Sequence, residues 1–268
     1  MKLLPLHALL ATSFLFAPAL RAQSTATAPA KPAPATPAAP KATPFPLPVQ
    51  PPDVAAVKYD PKTGQPNTGF LASHERYVAI AKEGKTQLLF LGDSITAGWA
   101  SKGKDVWAKA FTQWQPANFG IGGDRTQHVL WRIENGELDG IKPKAAVLMI
   151  GTNNASTDTA EGIAKGVTRI VETIRKKTPD TKILLLAVFP RGEKASPNPY
   201  RDKLGQVNAI IAKLADDKHV FYLDIGPKFL QPDGTLSKDI MPDSLHPNDA
   251  GYQIWADAIT PKVTELMK

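Results

Sequence analysis

Ser94, Asp243 and His246 are residues whose types could carry out nucleophilic chemistry on a carbonyl carbon. The imidazole of a histidine can take up the proton of a serine hydroxyl and later return it to the leaving group. Asp243 lies three residues before His246, a spacing at which one turn of chain brings carboxylate and imidazole together. The carboxylate would hold the tautomer of the ring and stabilise the imidazolium. These residue types predict acyl transfer through an acyl-serine.

Such a reaction also needs donors for the negative charge that develops on the carbonyl oxygen. We expect the backbone N–H groups of Ser94 and Gly123 and the side-chain amide of Asn153 to converge as this oxyanion hole. Glycine at position 123 allows the backbone to approach the substrate with no side chain in the way.

Three neighbours of these residues, Ile95, Thr152 and Leu245, are predicted to face the acyl group. Two are bulky aliphatic residues and one is β-branched, so the space for the acyl chain should be small. The alternative is that Ile95 and Leu245 point into the core.

The elements that must position these residues alternate along the chain. Short apolar runs typical of strands buried on both faces occur at residues 88–91, 145–150, 183–188 and 220–223, with a weaker candidate at 117–119. Between them, apolar residues recur at helical spacing over 163–174 and 204–214. Further helices are expected around 73–82 and 249–267. This alternation predicts a three-layer α/β domain with a five-stranded parallel sheet.

The candidate site residues all follow expected strands or precede the last helix. Binding sites in open parallel sheets form at the carboxyl ends of the strands. Taken singly, each signal has a structural alternative: Asn153 could cap a helix, Asp243 could form a loop salt bridge, and the turn at Ser94 could be only a turn. Their joint occurrence in this order favours the functional interpretation.

The motifs resemble those of the SGNH hydrolases, also called the GDSL family, over residues 86–260. GDSIT, NFGIGGD, GTNN and DSLH correspond to its four blocks. The resemblance implies a flavodoxin-like sheet and no cofactor or metal. It places the family's catalytic serine, oxyanion glycine, oxyanion asparagine, aspartate and histidine on the following residues: Ser94, Gly123, Asn153, Asp243 and His246.

Within the family, NFGIGGD with the residues after it, GTNN and PRGEK are especially similar to the catalytic subunits of intracellular platelet-activating-factor acetylhydrolase. Those subunits imply a preference for short acyl groups. They are cytosolic and lack the N-terminal segments of this chain, so their lipid substrate is not carried over. Secreted bacterial relatives resemble carbohydrate O-acetylesterases. We therefore expect hydrolysis of acetyl esters on a carbohydrate, with a phospholipid or thioester acylhydrolase as the alternative. A non-catalytic binding module is disfavoured because all five positions hold competent residues.

The N-terminal region differs in composition from the remainder. Residues 1–22 have a positively charged start, an apolar stretch and small residues at the end, which predicts a signal peptide and a secreted or periplasmic protein. Residues 23–56, rich in Pro and Ala, predict an extended, disordered linker. The hydrolase domain is expected over residues 57–268.

Composition excludes several other functions. The chain of 268 residues has no cysteine, which rules out disulfides and thiolate metal sites. Its net charge is +7, but no block of like charge is present to neutralise phosphates, so no nucleic-acid partner is expected. Two prolines interrupt the apolar start, so no integral membrane segment is expected. The expected partner is a small-molecule or glycan ester.

Overall fold

The computed structural model describes residues 46–268. The expected signal peptide and most of the expected linker lie outside these residues.

A five-stranded, fully parallel sheet in the order β2-β1-β3-β4-β5 lies between two layers of helices. The strands are β1 (Leu88–Gly92), β2 (Pro116–Gly120), β3 (Ala145–Met149), β4 (Lys182–Leu186) and β5 (Val220–Leu223). The helices are α1 (Thr68–Lys82), α2 (Ser94–Ala97), α3 (Lys104–Ala110), α4 (Thr126–Arg132), α5 (Ala160–Lys177), α6 (Pro199–Ile211) and α7 (Asp249–Leu266). The prediction of a three-layer α/β fold is confirmed.

The central strands are apolar throughout because both of their faces are covered. In β1, Leu89 and Leu91 pack into the hydrophobic cluster on one face of the sheet, whereas Leu88 and Phe90 pack into the cluster on the other. Successive side chains of a strand point to opposite faces. An uninterrupted apolar run therefore satisfies two cores at once.

Helix α5 shows how the sequence pattern specifies the packing. Thr159 caps its N-terminus by accepting a hydrogen bond from the backbone N–H of Gly162. Its apolar side chains recur every three or four residues, and they are buried against the sheet: Ile163, Val167, Ile170, Val171 and Ile174. Helix α7 begins at the expected residue and continues through Pro261.

The structure differs from the expected linker at its C-terminal end, where residues 50–56 lie along α4. The hydroxyl of Thr126 donates to the carbonyl of Pro52 at 2.8 Å, and the side chain of Gln127 donates to the carbonyl of Gln50 at 3.2 Å. Residues 46–56, the described part of this segment, form neither helix nor strand. Proline-rich composition carries no information on whether the segment's carbonyl groups find donors on the domain.

Candidate active site

Ser94 lies at the carboxyl end of the central strand β1. The strand ends at Gly92, Asp93 caps the short helix α2, and Ser94 is the first helical residue. A Cβ on Gly92 would lie 2.1 Å from Thr96 Oγ1 and 2.5 Å from the carbonyl oxygen of Met149. Only glycine therefore permits this close turn from strand to helix.

A chain of hydrogen bonds joins Ser94, His246 and Asp243. Ser94 Oγ lies 2.8 Å from His246 Nε2, and His246 Nδ1 lies 2.6 Å from Asp243 Oδ2. The other carboxylate oxygen accepts the backbone N–H groups of Leu245 at 3.1 Å and His246 at 2.7 Å. Ser244, with φ of 58°, makes the turn between them. The predicted nucleophile, base and orienting carboxylate therefore meet in one arrangement.

The electrostatics of Asp243 suit an orienting group. Partial burial acts to raise the pKa of this carboxyl, but hydrogen bonds from the imidazole and backbone of His246 outweigh that effect and leave the pKa below its ordinary value. Asp243 is thus ionised at neutral pH. It can hold the proton on Nδ1 of His246, which leaves Nε2 free to accept the serine proton.

The two other candidate oxyanion residues lie on the loops that follow β2 and β3. A Cβ on Gly122 would lie 4.0 Å from Ser94 Cβ, which places the loop after β2 (residues 121–125, the glycine loop) directly beside the serine. Asn153 Nδ2 donates to the carbonyl oxygen of Asp124 at 2.8 Å, joining the two loops. Gly123 has a φ of +72°, a backbone conformation that residues with a side chain rarely adopt. The structure therefore brings together the loops that carry Ser94, Gly123 and Asn153.

A buried network of charged side chains lies behind the glycine loop. Asp124 accepts a hydrogen bond from Arg132 Nε at 2.9 Å, Arg132 also bonds Glu137, and Glu137 contacts His74 at 3.0 Å. Arg132 and Glu137 are completely buried. Burial raises the pKa of Asp124 to about 6, although Arg132 and Lys58 oppose the shift. Neither Arg132 nor Lys58 was expected at the site from the sequence: Arg132 lies in the stretch after the glycines but was given no role there, and Lys58 lies outside every quoted motif.

His128, four residues after Asp124, forms hydrogen bonds with two uncharged groups. Its Nδ1 accepts the backbone N–H of Arg125 at 3.1 Å, and its Nε2 lies 3.2 Å from Gln50 Oε1. Burial lowers the pKa of His128 to about 3, with help from nearby cations that include Lys58. This histidine is therefore neutral at physiological pH and belongs to the packing of α4.

The three residues expected around the acyl group differ in their surroundings. Ile95 is buried in the hydrophobic cluster on one face of the sheet, which is the alternative that the sequence left open. Thr152 is buried and faces Arg191, whose Nη1 donates to its carbonyl oxygen at 3.0 Å. Leu245 is only half-buried, next to His246. The sequence could not separate these cases because all three residues adjoin a site residue.

The loop after β4 holds the other loops of the site in place. Arg191 bonds the Thr152 carbonyl, and the backbone N–H of Gly192 donates to the carbonyl of Ser244 at 2.8 Å. The guanidinium of Arg191 also stacks on the exposed ring of Tyr200, 4.6 Å from its centroid. Residues 190–194 (PRGEK) thus connect the loop that carries Asn153 to the loop that carries His246.

Among residues 46–268, no group of three or more His, Asp or Glu side chains is placed to hold a metal ion. No helix in this part of the chain is long and apolar enough to cross a membrane.

Comparison with known proteins places this chain among the ester hydrolases. The platelet-activating factor acetylhydrolase IB subunit alpha1 of Rattus norvegicus is 41% identical over 184 residues, which cover 68% of this chain and 77% of that protein. Subunit alpha2 of the same species is 40% identical over 199 residues, covering 74% and 85%.

Two solved structures have the same fold. A GDSL-like lipase from Bacteroides thetaiotaomicron superposes with a TM-score of 0.60 at 19% identity, covering 73% of this chain and 97% of the lipase. The acetyl xylan esterase AlAXEase superposes with a TM-score of 0.55 at 27% identity, covering 66% and 98%.

The α/β sheet and these relatives define the class of protein: it is a serine ester hydrolase. The model of the GDSL-like lipase/acylhydrolase family matches residues 90–254. The chain belongs to this family.

The buried carboxyl next to Ser94 makes the stability of the fold depend on pH. Burial raises the pKa of Asp93 to about 7 from 3.8, so between these pH values the folded state binds more protons than the unfolded state. Stability then falls as pH rises. Because an amide does not ionise, we expect Asp93→Asn to become more stable than the wild type as pH rises from 4 to 7. The gain is at most about 1.4 kcal/mol for each unit by which the pKa of Asp93 in the folded state exceeds its pKa in the unfolded state.

Thermal unfolding at a series of pH values measures this difference. The exposed Asp180 gives the matched control, since Asp180→Asn should show no such trend. Parallel pH dependence of Asp93→Asn and wild type would contradict the prediction.

Proposed function

We propose that Ser94 is the nucleophile, His246 the general base and acid, and Asp243 the group that orients the imidazole. Ser94 Oγ attacks the ester carbonyl carbon as its proton passes to His246 Nε2. The bond to the alcohol oxygen then breaks, and His246 returns the proton to that oxygen. Water repeats these steps on the acyl-serine and releases the acid. The observation that carries the assignment is the continuous pair of hydrogen bonds, 2.8 Å and 2.6 Å long.

In the same proposal the oxyanion is held by the N–H groups of Ser94 and Gly123 and by the amide of Asn153. One N–H of Asn153 Nδ2 is bound to the Asp124 carbonyl. The second N–H is available for the substrate oxygen. Because the first hydrogen bond fixes the amide plane, the second donor is oriented before substrate binds.

We propose acetyl and other short acyl groups as the acid part of the substrate, and a carbohydrate as the alcohol part. Thr152 and Leu245 would border the acyl group. The side chains of His246 and Asp243 are 41% and 57% exposed, so a bulky hydrophilic alcohol can reach the site. The ring of Tyr200 is exposed, and a sugar ring would pack on the face that Arg191 does not cover. Export through residues 1–22 belongs to the same proposal.

The second candidate substrate is an acetylated phospholipid. It is favoured by the identity of about 40% to subunits named for platelet-activating factor acetylhydrolase. Both candidates share the short acyl group and the acyl-serine, and they differ only in the alcohol. The experiment that separates them must therefore vary the alcohol while the acetyl group stays constant.

Acetate release from acetylated xylooligosaccharides and from an sn-2-acetyl phospholipid provides this test. We expect kcat/KM to be at least about tenfold higher for the oligosaccharide, and p-nitrophenyl acetate to be preferred to the butyrate because each added methylene in a filled pocket costs about 1–3 kcal/mol. Higher kcat/KM for the phospholipid would transfer the assignment to the lipid. An optimum at six carbons or more would contradict the short-acyl proposal.

Replacing the nucleophile and base tests their assignment. Ser94→Ala and His246→Ala should each abolish nearly all turnover of p-nitrophenyl acetate while the thermal unfolding temperature stays close to that of the wild type. The double variant should lose little more than either single variant, because the two side chains act as one unit. Additive losses, or fluorophosphonate labelling of Ser94→Ala equal to that of the wild type, would refute the assignment.

Neighbouring asparagines give a matched pair for the oxyanion hole. Asn153→Ala should lower kcat by about 100- to 1,000-fold with little change in KM, because the lost donor acts on charge that exists only in the transition state. Asn154 is buried and bonded to Thr126, Gln127 and Asp158. Asn154→Ala should therefore destabilise the fold by about 1–3 kcal/mol and leave kcat close to wild type. A loss in Asn153→Ala confined to KM would make Asn153 a substrate-binding residue.

A further inference from the structure

Lys58 is a charged side chain in contact with the glycine loop, although it lies outside the part of the chain that the family model matches. Its Nζ donates to the carbonyl oxygen of Gly122 and lies 3.7 Å from Asp124 Oδ1. The side chain is only 21% exposed. Its backbone is fixed just before α1, where the carbonyl of Lys58 accepts the N–H of Asn67 at 2.7 Å.

The position of the ammonium has a direct consequence for the peptide that joins Gly122 to Gly123. A trans peptide is planar, so the carbonyl oxygen of Gly122 and the N–H of Gly123 point in opposite directions. A group that holds the oxygen on one side therefore fixes the N–H on the other. Two adjacent glycines leave this peptide free to rotate unless something holds it, because glycine tolerates both signs of φ.

We propose that Lys58 is a positioning residue for the oxyanion hole. It holds the carbonyl of Gly122 so that the N–H of Gly123 stays directed at the substrate oxygen, and its charge polarises the same peptide and strengthens that donor. A Cβ on Gly123 would lie 2.9 Å from Lys58 Nζ, so the absence of a side chain there also makes room for the lysine. The inference rests on the proposed role of Gly123.

Asp124 holds Lys58 in place and connects it to the second oxyanion donor. Arg132 binds Asp124 Oδ2, whereas Oδ1 has Lys58 as its nearby cation and no hydrogen-bond partner among the described residues. The backbone carbonyl of the same residue accepts the amide of Asn153. Asp124 thereby fixes Asn153 through its own backbone carbonyl, and it fixes the peptide between Gly122 and Gly123 through Lys58.

Steady-state kinetics of Lys58 variants test the proposal with p-nitrophenyl acetate. Lys58→Met keeps most of the volume and removes the charge and the donors. We expect kcat to fall at least about tenfold while KM stays unchanged. This loss should be smaller than the roughly 100- to 1,000-fold loss that follows deletion of an oxyanion donor. Lys58→Arg should retain more turnover than Lys58→Met because it keeps donors and charge. The exposed Lys62 gives the control, and Lys62→Met should match the wild type.

The measurement separates positioning from a structural role by counting active sites. Each kcat is divided by the number of serines that a fluorophosphonate labels to completion, and thermal unfolding is followed in parallel. A lower unfolding temperature with unchanged kcat per labelled serine would overturn the proposal, as would a loss confined to KM. Wild-type kcat in Lys58→Met alongside an inactive Ser94→Ala would refute only the role of Lys58. Residual turnover in Ser94→Ala would instead refute the proposed function.

Discussion

The order of the strands is the constraint on which the candidate site depends. The chain leaves β1 for β2 on one side of it, and then returns to place β3 on the other side. The carboxyl ends of these three neighbouring parallel strands therefore carry three loops that begin side by side, at the point where the strand order reverses. Ser94, the glycine loop and Asn153 each follow one of the three strands. Their convergence comes from topology and does not require long side chains to reach across the sheet.

Topology brings the loops close, but their precise orientation depends on Asp124. Its carboxylate binds buried Arg132, and its carbonyl accepts Asn153. Burying a charged pair away from water has a large desolvation cost, and removing one partner strongly destabilises the fold because the other charge is left unpaired. This network therefore contributes orientation more than net stability.

Much of the fold and most of the candidate site follow from the sequence alone. Apolar runs located β1, β3, β4 and β5, most clearly in the central strands, which are apolar along their length because both faces are covered. Strand β2 was only a weaker candidate because its run is short and contains Asn118. The candidate site residues were predicted because Ser94, Gly123 and Asn153 follow strands, where polar residues and glycines are conspicuous, and because Asp243 and His246 precede the last helix. Lys58 was not found because its partner Gly122 lies 64 residues away in sequence. Arg132 was not found because nothing in the sequence distinguishes an arginine buried in an ion pair from an exposed one. The sequence left two positions open for Ile95, the acyl pocket and the core, because adjacency along the chain does not determine the direction of a side chain; in the structure it packs in the core cluster.

The two halves of the candidate site work in different dielectric surroundings. Asp243 and His246 are about half exposed, so water screens the attraction between carboxylate and imidazolium. Three hydrogen bonds fix the position of the Asp243 carboxylate. Its main contribution is to set the tautomer and the direction of the His246 ring. On the opposite side, the groups behind the glycine loop are buried, where charges and dipoles act with much less screening. In the proposed mechanism the transition-state charge appears on this side, on the carbonyl oxygen. The buried electrostatics of the fold would then lie next to the oxyanion, and the proton-transfer side would stay open, where the alcohol must leave and water must enter.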